Sequence, residues 1–153
     1  MGTGRFVTME LTVSHREGMA FVAKGPSGHE IALDAAPEVG GSDQGARPME
    51  LILAGLGGCS GMDVVSILRK MRVNVDRFEI RLKGRRAEEH PKVFTHIDIE
   101  YAFWGSNLEQ HRSQIEKAVK LSQDKYCSVA AMLRHGVELS YHIVLHEAQP
   151  AVS

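Results

Sequence analysis

The two cysteines, Cys59 and Cys127, are the residues of this sequence best suited to chemistry. A reactive cysteine needs thiolate character and access for an oxidant, and a second thiol can condense with the sulfenic acid that forms. Four of the seven residues at 55–61 are glycines in an otherwise apolar segment, although each costs a helix roughly 1 kcal/mol relative to Ala. These glycines either make room for a substrate beside the Cys59 sulfur or let a second helix approach closely.

Charged residues decide whether Cys59 is a good nucleophile. If 47–72 is helical, Cys59 lies far from the helix start and needs a nearby cation, for which the candidates are Arg16 and Arg47. Arg47 precedes Cys59 by twelve residues, roughly 18 Å along a helix, so we predict that Arg16 is the cation. Asp63, one turn after Cys59, either disfavours the thiolate or makes a polar contact to neighbouring strands, and we favour the contact.

Simpler interpretations of the cysteines compete with catalysis. Two free, buried thiols are common in proteins of a reducing compartment, where a purely structural disulfide is rare. The eight histidines are scattered without the short Cys/His spacing of a zinc site, so we expect no metal and no cofactor.

The composition favours a cytoplasmic protein without nucleic-acid or membrane partners. The net charge is -1 and the sequence pI is about 6.7, which gives no basic surface for nucleic acid or anionic lipid. The first residues lack the apolar run of a secretory signal. The apolar run 51–58 is too short to span a bilayer, and Asp63 and Arg69 follow it.

The elements that position the cysteines are predicted in the order βββ-α-ββ-α-α-β. Strands are predicted at 5–13, 17–25, 28–34, 75–85, 93–105 and 137–146, and helices at 48–72, 106–123 and 124–136. The first helix is apolar almost all round, so we expect it to be central and buried. Ser106 and Glu109 predict a capping box, and Asp124 predicts a cap that places Cys127 at position N3. This order predicts one α+β domain, 1–153, of antiparallel strands flanking helices.

The segments "RPMELILAGLGGCSGMDVVSILRKMR" and "LSQDKYCSVAAMLRHGVELSYHI" together resemble the OsmC/Ohr superfamily, the osmotically inducible and organic hydroperoxide resistance proteins. The most specific features are a Pro-to-Leu run that ends in two small residues and Cys59, and Cys127 at the head of a short helix. The resemblance implies an intertwined homodimer, with two long central helices back to back between sheets that contain strands of both chains.

The resemblance also implies a thiol-dependent peroxidase that reduces organic hydroperoxides. Cys59 matches the family's peroxidatic cysteine and Cys127 its resolving cysteine, so the cycle passes through a sulfenic acid and a Cys59–Cys127 disulfide. An external dithiol, for Ohr-type members a lipoylated protein, then restores the thiols. The alternative is an OsmC-like protein that binds a small apolar ligand or a partner, with redox-sensitive but poorly catalytic thiols.

Two further residues of the site follow from the family pattern. Arg16, in "SHREGMA", falls where Ohr-type proteins have an arginine. The family's glutamate, counted back from Cys59, falls on Met49, and Glu50 follows it. On an uninterrupted helix Glu50 lies about 180° around the axis from Cys59, so Glu50 serves the site only if the helix begins after it.

Overall fold

The structure, a computed structural model, describes residues 8–148. Its strands and helices confirm the predicted order: β1 Thr12–His15, β2 Phe21–Lys24, β3 Glu30–Leu33, α1 Pro48–Lys70, β4 Arg77–Arg86, β5 Phe94–Gly105, α2 Arg112–Leu121, α3 Ser128–Leu133 and β6 Glu138–Glu147. The chain forms two compact units, one ending at Ile52 and one beginning at Leu53, and α1 crosses this boundary.

The first unit is built on the antiparallel sheet β1-β2-β3. The first strand is shorter than predicted, because its ladder begins at Thr12, while residues 5–7 of the predicted strand lie outside the described residues. The β1–β2 turn contains Gly18 at a φ of 59°, and the Arg16 N–H donates to the carbonyl of Ala20 at 2.9 Å. Glycine adopts that left-handed conformation at little cost, which explains its place in the turn.

The loop between β3 and α1 is arranged around a buried carboxylate, that of Asp34. Its oxygens accept three backbone N–H groups, from Ala35 at 2.7 Å, Gln44 at 3.1 Å and Ser42 at 3.2 Å. These hydrogen bonds, led by that of Ala35, hold the pKa of the Asp34 carboxyl below its usual value despite its burial. A buried carboxylate thus fixes the loop that leads the chain into α1.

The second unit contains the sheet β4-β5-β6, in which one pairing corrects our prediction. The β4 and β5 strands pair antiparallel as expected, whereas β6 runs parallel to β5. Two helices separate β5 from β6 along the chain, which gives the crossover length that a parallel pair requires. The prediction of purely antiparallel strands is therefore wrong.

Helix α1 buries only one stripe within this single chain. The buried positions are spaced as one helical face: Leu56, Gly57, Ser60, Val64 and Leu68. Met62 is 75% exposed, so within one chain the predicted burial of the helix holds for the face that the sheet covers and not for the opposite face. By length and composition alone, α1 is long and apolar enough to span a membrane, a criterion that the core helices of soluble proteins also meet. Its apolar stretch is therefore longer than the predicted run 51–58.

The glycines of α1 divide into two pairs. A Cβ on Gly57 would lie 2.9 Å from Cδ1 of Leu82, and one on Gly61 would lie 3.0 Å from Cδ1 of Ile80. These two glycines let α1 approach β4 closely. A Cβ on the other two, at 55 and 58, would meet nothing within 4 Å. The second pair therefore leaves open space on the uncovered face of the helix.

The starts of the later helices differ from the sequence prediction. Glu147, at the end of β6, accepts the N–H groups of Leu108 at 3.0 Å and Glu109 at 3.3 Å. Glu109 itself pairs with Arg112 at 2.7 Å, so the predicted Ser106–Glu109 capping box is replaced by a cap from β6. A carboxylate distant in sequence but close in the fold gave no local signal in the sequence.

Candidate active site

Cys127 is the N-cap of α3, and not its N3 residue as predicted. Its Sγ accepts the N–H of Ala130 at 3.4 Å, and its own N–H donates to the carbonyl of Ser122 at 2.8 Å. The predicted cap, Asp124, instead lies in a π-helical segment, Ser122–Tyr126, that precedes Cys127, and it pairs with Lys120 at 2.6 Å. Cys127 is thus held by one hydrogen bond to its sulfur and one from its backbone, and the residue is only 2% exposed.

The two cysteines lie side by side, although they are far apart in the sequence. Both are free thiols, Cys127 buried and Cys59 partly exposed. Burial raises the pKa of the Cys127 thiol to about 11, and the neighbouring Cys59 adds to this rise. At neutral pH Cys127 is therefore protonated. The pair consists of one partly exposed cysteine and one buried, protonated cysteine.

An open apolar groove runs along α1 from the residues next to Cys59. Its volume is about 790 Å³, and its lining combines α1 and β4: Gly57, Gly58, Gly61, Met62, Val65, Ser66, Arg69, Lys70, Phe78 and Ile80. The two open glycine positions and the neighbouring Met62 leave this face free of covering side chains. Arg69 and Lys70 place two positive charges at one end of this otherwise apolar groove.

Asp63 makes a polar contact, as favoured, but to a helical segment and not to a strand. Its Oδ2 accepts the hydroxyl of Ser122 at 2.9 Å. Ser122 is fully buried and also lies 2.8 Å from Oγ of Ser60, the residue after Cys59. Tyr101 Oη contacts the same Ser60 hydroxyl at 2.6 Å. We did not predict these buried polar contacts beside the cysteines, although a serine on the buried stripe of an apolar helix indicates a polar partner.

The remaining predicted site residues lie in the first unit. Arg16 is exposed in the β1–β2 turn, and among residues 8–148 no ion pair includes its guanidinium. Arg47, the cation we disfavoured, pairs with Asp43 at 2.7 Å. Glu50 is exposed in the first turn of α1, and its carboxylate accepts the Arg47 N–H at 3.4 Å. Because α1 begins at Pro48, the helix does not begin after Glu50. The condition under which Glu50 would serve the site is therefore not met within this chain, whereas the catalytic role of Arg16 stays a prediction.

The histidines of the second sheet bond to neighbouring strands. His96 lies 3.0 Å from the hydroxyl of Ser140, and His142 lies 3.2 Å from the carboxylate of Glu100. Within the described range 8–148, His, Cys, Asp and Glu side chains form no group of three or more suited to a metal ion.

Comparison with known proteins gives consistent matches over most of the chain. The family model of OsmC-like proteins matches residues 41–142. Protein YhfA of Escherichia coli K12 is 41% identical over 138 residues, which span 89% of this chain and 98% of YhfA. The crystal structure of a hypothetical protein from Aquifex aeolicus VF5 matches with a TM-score of 0.75 at 36% identity, covering 93% of this chain and 100% of that one.

A more distant structure shares the α+β fold of two sheets and helices. It is an organic hydroperoxide resistance protein, OsmC, from Legionella pneumophila, with a TM-score of 0.64 at 15% identity. The match covers 92% of this chain and 98% of the Legionella protein. At this identity the likeness concerns the fold.

Proposed function

This chain belongs to the family of OsmC-like proteins, and from that premise we propose that it is a thiol-dependent peroxidase that reduces organic hydroperoxides to alcohols. One observation carries the proposal: Cys59, partly exposed, lies beside the buried and protonated thiol of Cys127. A thiol pair of this kind suits a two-step reaction, in which one sulfur meets the oxidant and the other closes a disulfide.

In the first step the Cys59 thiolate attacks the hydroperoxide. The O–O bond breaks, the alkoxide takes a proton and leaves as the alcohol, and the sulfur becomes a sulfenic acid. In the second step the Cys127 sulfur attacks the Cys59 sulfur, and its proton leaves with the hydroxyl group as water. An external dithiol then reduces the Cys59–Cys127 disulfide to two thiols and is itself oxidised to a disulfide.

The protonation of Cys127 supports this order of steps. A thiol with a pKa of about 11 is a poor first nucleophile at neutral pH, and its burial keeps peroxide away. Cys59 is the more exposed sulfur and follows the two glycines at the groove. The structure of the pair therefore favours Cys59 as the peroxidatic and Cys127 as the resolving cysteine.

The groove and the neighbouring proteins support the substrate class. An apolar groove suits an alkyl or aryl hydroperoxide better than the small, polar hydrogen peroxide. In the homodimer proposed below, α1 of the second copy would form the other wall of this groove and leave the part next to Cys59 open to substrate. The fold relative from Legionella pneumophila is named an organic hydroperoxide resistance protein. For the reductant we propose a dithiol such as that of a lipoylated protein, and for the location the cytoplasm, where reducing conditions return the disulfide to thiols.

We further propose that the chain works as one domain, 1–153, within an intertwined homodimer. The support is the uncovered apolar face of α1, on which Met62 is 75% and Val65 36% exposed. An exposed apolar stripe with small residues at 55 and 58 suits the close approach of the same helix from a second copy. In that dimer the two α1 helices would form the central pair.

A charge placed on this face should disrupt the dimer. We expect Met62→Glu to raise the dissociation constant by about a hundredfold or more, because a carboxylate would be buried without a partner. The matched control is Met132→Glu on α3, where the wild-type methionine is similarly exposed at 74%. Light scattering and sedimentation measure the oligomeric state; a wild-type protein that stays monomeric at micromolar concentration would remove the dimer proposal.

The proposed role of Arg16 predicts a slower first step in its absence. We expect Arg16→Ala to slow the attack of Cys59 on peroxide about tenfold at neutral pH, because in the proposed role the positive charge of Arg16 would favour the thiolate. The deficit should shrink as the pH rises, since the thiolate then forms without help. The control is Arg85→Ala, another exposed arginine. Stopped-flow kinetics with equal losses in both variants, or none in Arg16→Ala, would show that the thiolate is stabilised otherwise.

The function is tested by peroxide consumption with a dithiol as electron donor. We expect dihydrolipoamide to support reduction of cumene hydroperoxide with a kcat/KM at least about tenfold above that for hydrogen peroxide. The apolar groove alone would also suit an OsmC-like protein that binds a small apolar ligand or a partner. Catalytic turnover absent with both peroxides, together with stoichiometric binding of apolar molecules, would favour that alternative.

A further inference from the structure

A continuous chain of side-chain hydrogen bonds crosses the second unit beside the two cysteines. We call it the hydrogen-bond chain, and it consists of six residues: Arg134, Gln123, Tyr101, Ser60, Ser122 and Asp63. Its five links measure, in that order, 3.1, 2.5, 2.6, 2.8 and 2.9 Å. The four central members are each no more than 2% exposed, so water does not compete for these bonds.

The direction of every bond in the chain is determined by its two ends. A guanidinium only donates and a carboxylate only accepts, so Arg134 donates at one end and Asp63 accepts at the other. Ser122 donates its single hydroxyl proton to Asp63 and therefore accepts from Ser60, which in turn accepts from Tyr101. Burial raises the pKa of Tyr101, so its phenol keeps the proton that it donates. Each hydroxyl thus has one arrangement in which all bonds form.

The hydrogen-bond chain connects the two segments that carry the cysteines. Ser60 directly follows Cys59 on α1. At the other segment, the Ser122 carbonyl accepts the Cys127 N–H, and Arg134 also donates to the backbone carbonyl of Gln123 at 3.0 Å. Both Ser122 and Gln123 belong to the π-helical segment that ends directly before Cys127. The sheet strand β5 supplies the connection, since its Tyr101 is bound to Ser60 on one side and to Gln123 on the other.

We propose that the hydrogen-bond chain positions the Cys127 segment against Cys59 and thereby sets the rate at which the disulfide closes, with Tyr101 as the central positioning residue. The inference rests on the proposed function for its place in the catalytic cycle, but the juxtaposition of the two sulfurs can be measured without peroxide. Closure with a sulfenic acid expels water, whereas closure with a mixed disulfide of Cys59 and glutathione expels glutathione as its thiol. In both, the Cys127 sulfur forms the new S–S bond and gives up its proton.

The test compares two tyrosine variants that each lose one hydroxyl. Tyr101→Phe removes the central member of the chain, and Tyr141→Phe removes a hydroxyl outside it on a ring that packs edge-on against Tyr101 at 6.1 Å. The equilibrium between the Cys59–Cys127 disulfide and reduced and oxidised glutathione gives the effective concentration of one thiol at the other. We expect Tyr101→Phe to lower it about tenfold or more, and Tyr141→Phe to leave it within about twofold of the wild type.

The kinetic readout separates positioning from loss of stability. In Tyr101→Phe we expect sulfenic acid formation at Cys59 to stay within about twofold of the wild type while disulfide closure slows about tenfold, so that more sulfinic acid accumulates per turnover. A merely structural role would lower the unfolding temperature and leave both the glutathione equilibrium and this ratio of steps unchanged. That result would overturn the proposal.

A second pair of variants covers the case in which Tyr101→Phe does not fold. Ser122→Ala removes another member of the chain, and Ser128→Ala removes an exposed serine at the start of α3 as its control. A lower effective concentration in Ser122→Ala alone supports the proposal, and equal values in the two variants contradict it. A wild-type protein that equilibrates with glutathione but never reacts with hydroperoxide would refute the proposed function. The effect of the hydrogen-bond chain on the thiol pair would still be measured by the glutathione equilibrium.

Discussion

Cys59→Ser is expected to lose peroxide turnover almost completely, by at least about a thousandfold. A serine hydroxyl at neutral pH is a poor nucleophile without a strong base beside it, and it cannot form a sulfenic acid. The substitution exchanges one small side chain for another at a partly exposed position, so we expect the fold to persist. The measurement is dithiol-dependent consumption of cumene hydroperoxide, with circular dichroism and light scattering to verify the folded, assembled protein.

The control for this variant is Ser113→Ala, which changes an exposed serine of α2. This serine lies outside the groove lining and the thiol pair, so the kcat of the variant should stay near the wild-type value. A Cys59→Ser protein that keeps full dithiol-dependent activity would contradict the peroxidase, and the ligand-binding alternative would take its place.

Cys127→Ser is expected to react once and then stop. Cys59 still attacks the hydroperoxide, but no neighbouring thiol closes the disulfide, so the sulfenic acid accumulates and excess peroxide carries it to sulfinic acid. A sulfenic-acid-specific reagent and intact-mass analysis follow both products. Steady turnover of the variant at the wild-type rate with the same dithiol would show that Cys127 does not resolve the sulfenic acid.

The wild type offers an independent test of Cys127 through pH. Its pKa is raised to about 11, so its thiolate fraction at neutral pH is small and rises about tenfold per pH unit. If the thiolate is the attacking form, the rate of disulfide closure should rise with pH throughout the range from about pH 7 to 9. A closure rate that is flat between pH 7 and 9 would show that Cys127 loses its proton in another way.

The two candidate cysteines and the order of strands and helices could be predicted from the sequence, because both depend on local patterns. Alternation predicted the strands, and the apolar segment with its early Pro48 predicted α1. The glycines around Cys59 proved to have two roles that one sequence window cannot separate. Two of them approach β4, and two leave space on the uncovered face.

The features that the sequence did not reveal depend on residues distant along the chain. The parallel pairing of β6 depends on the path of the two helices that connect it to β5. The cap from Glu147 depends on where the end of β6 lies. The hydrogen-bond chain joins α1, β5 and the segment before Cys127, and the pairing of their polar side chains depends on how these three elements pack together. Likewise, Cys127 is the N-cap of α3, whereas Asp124, the predicted cap, pairs with Lys120 of α2.

The central claim, that Cys59 and Cys127 form one redox pair, is tested most directly by treating the reduced protein with one equivalent of cumene hydroperoxide under denaturant-free conditions. Intact-mass analysis and peptide mapping then identify the product. We expect the loss of two hydrogen atoms per chain and a Cys59–Cys127 disulfide within one chain, which requires the two α-carbons to come within about 7 Å. An unchanged mass, or oxygen added to Cys59 with Cys127 still a free thiol, would contradict it.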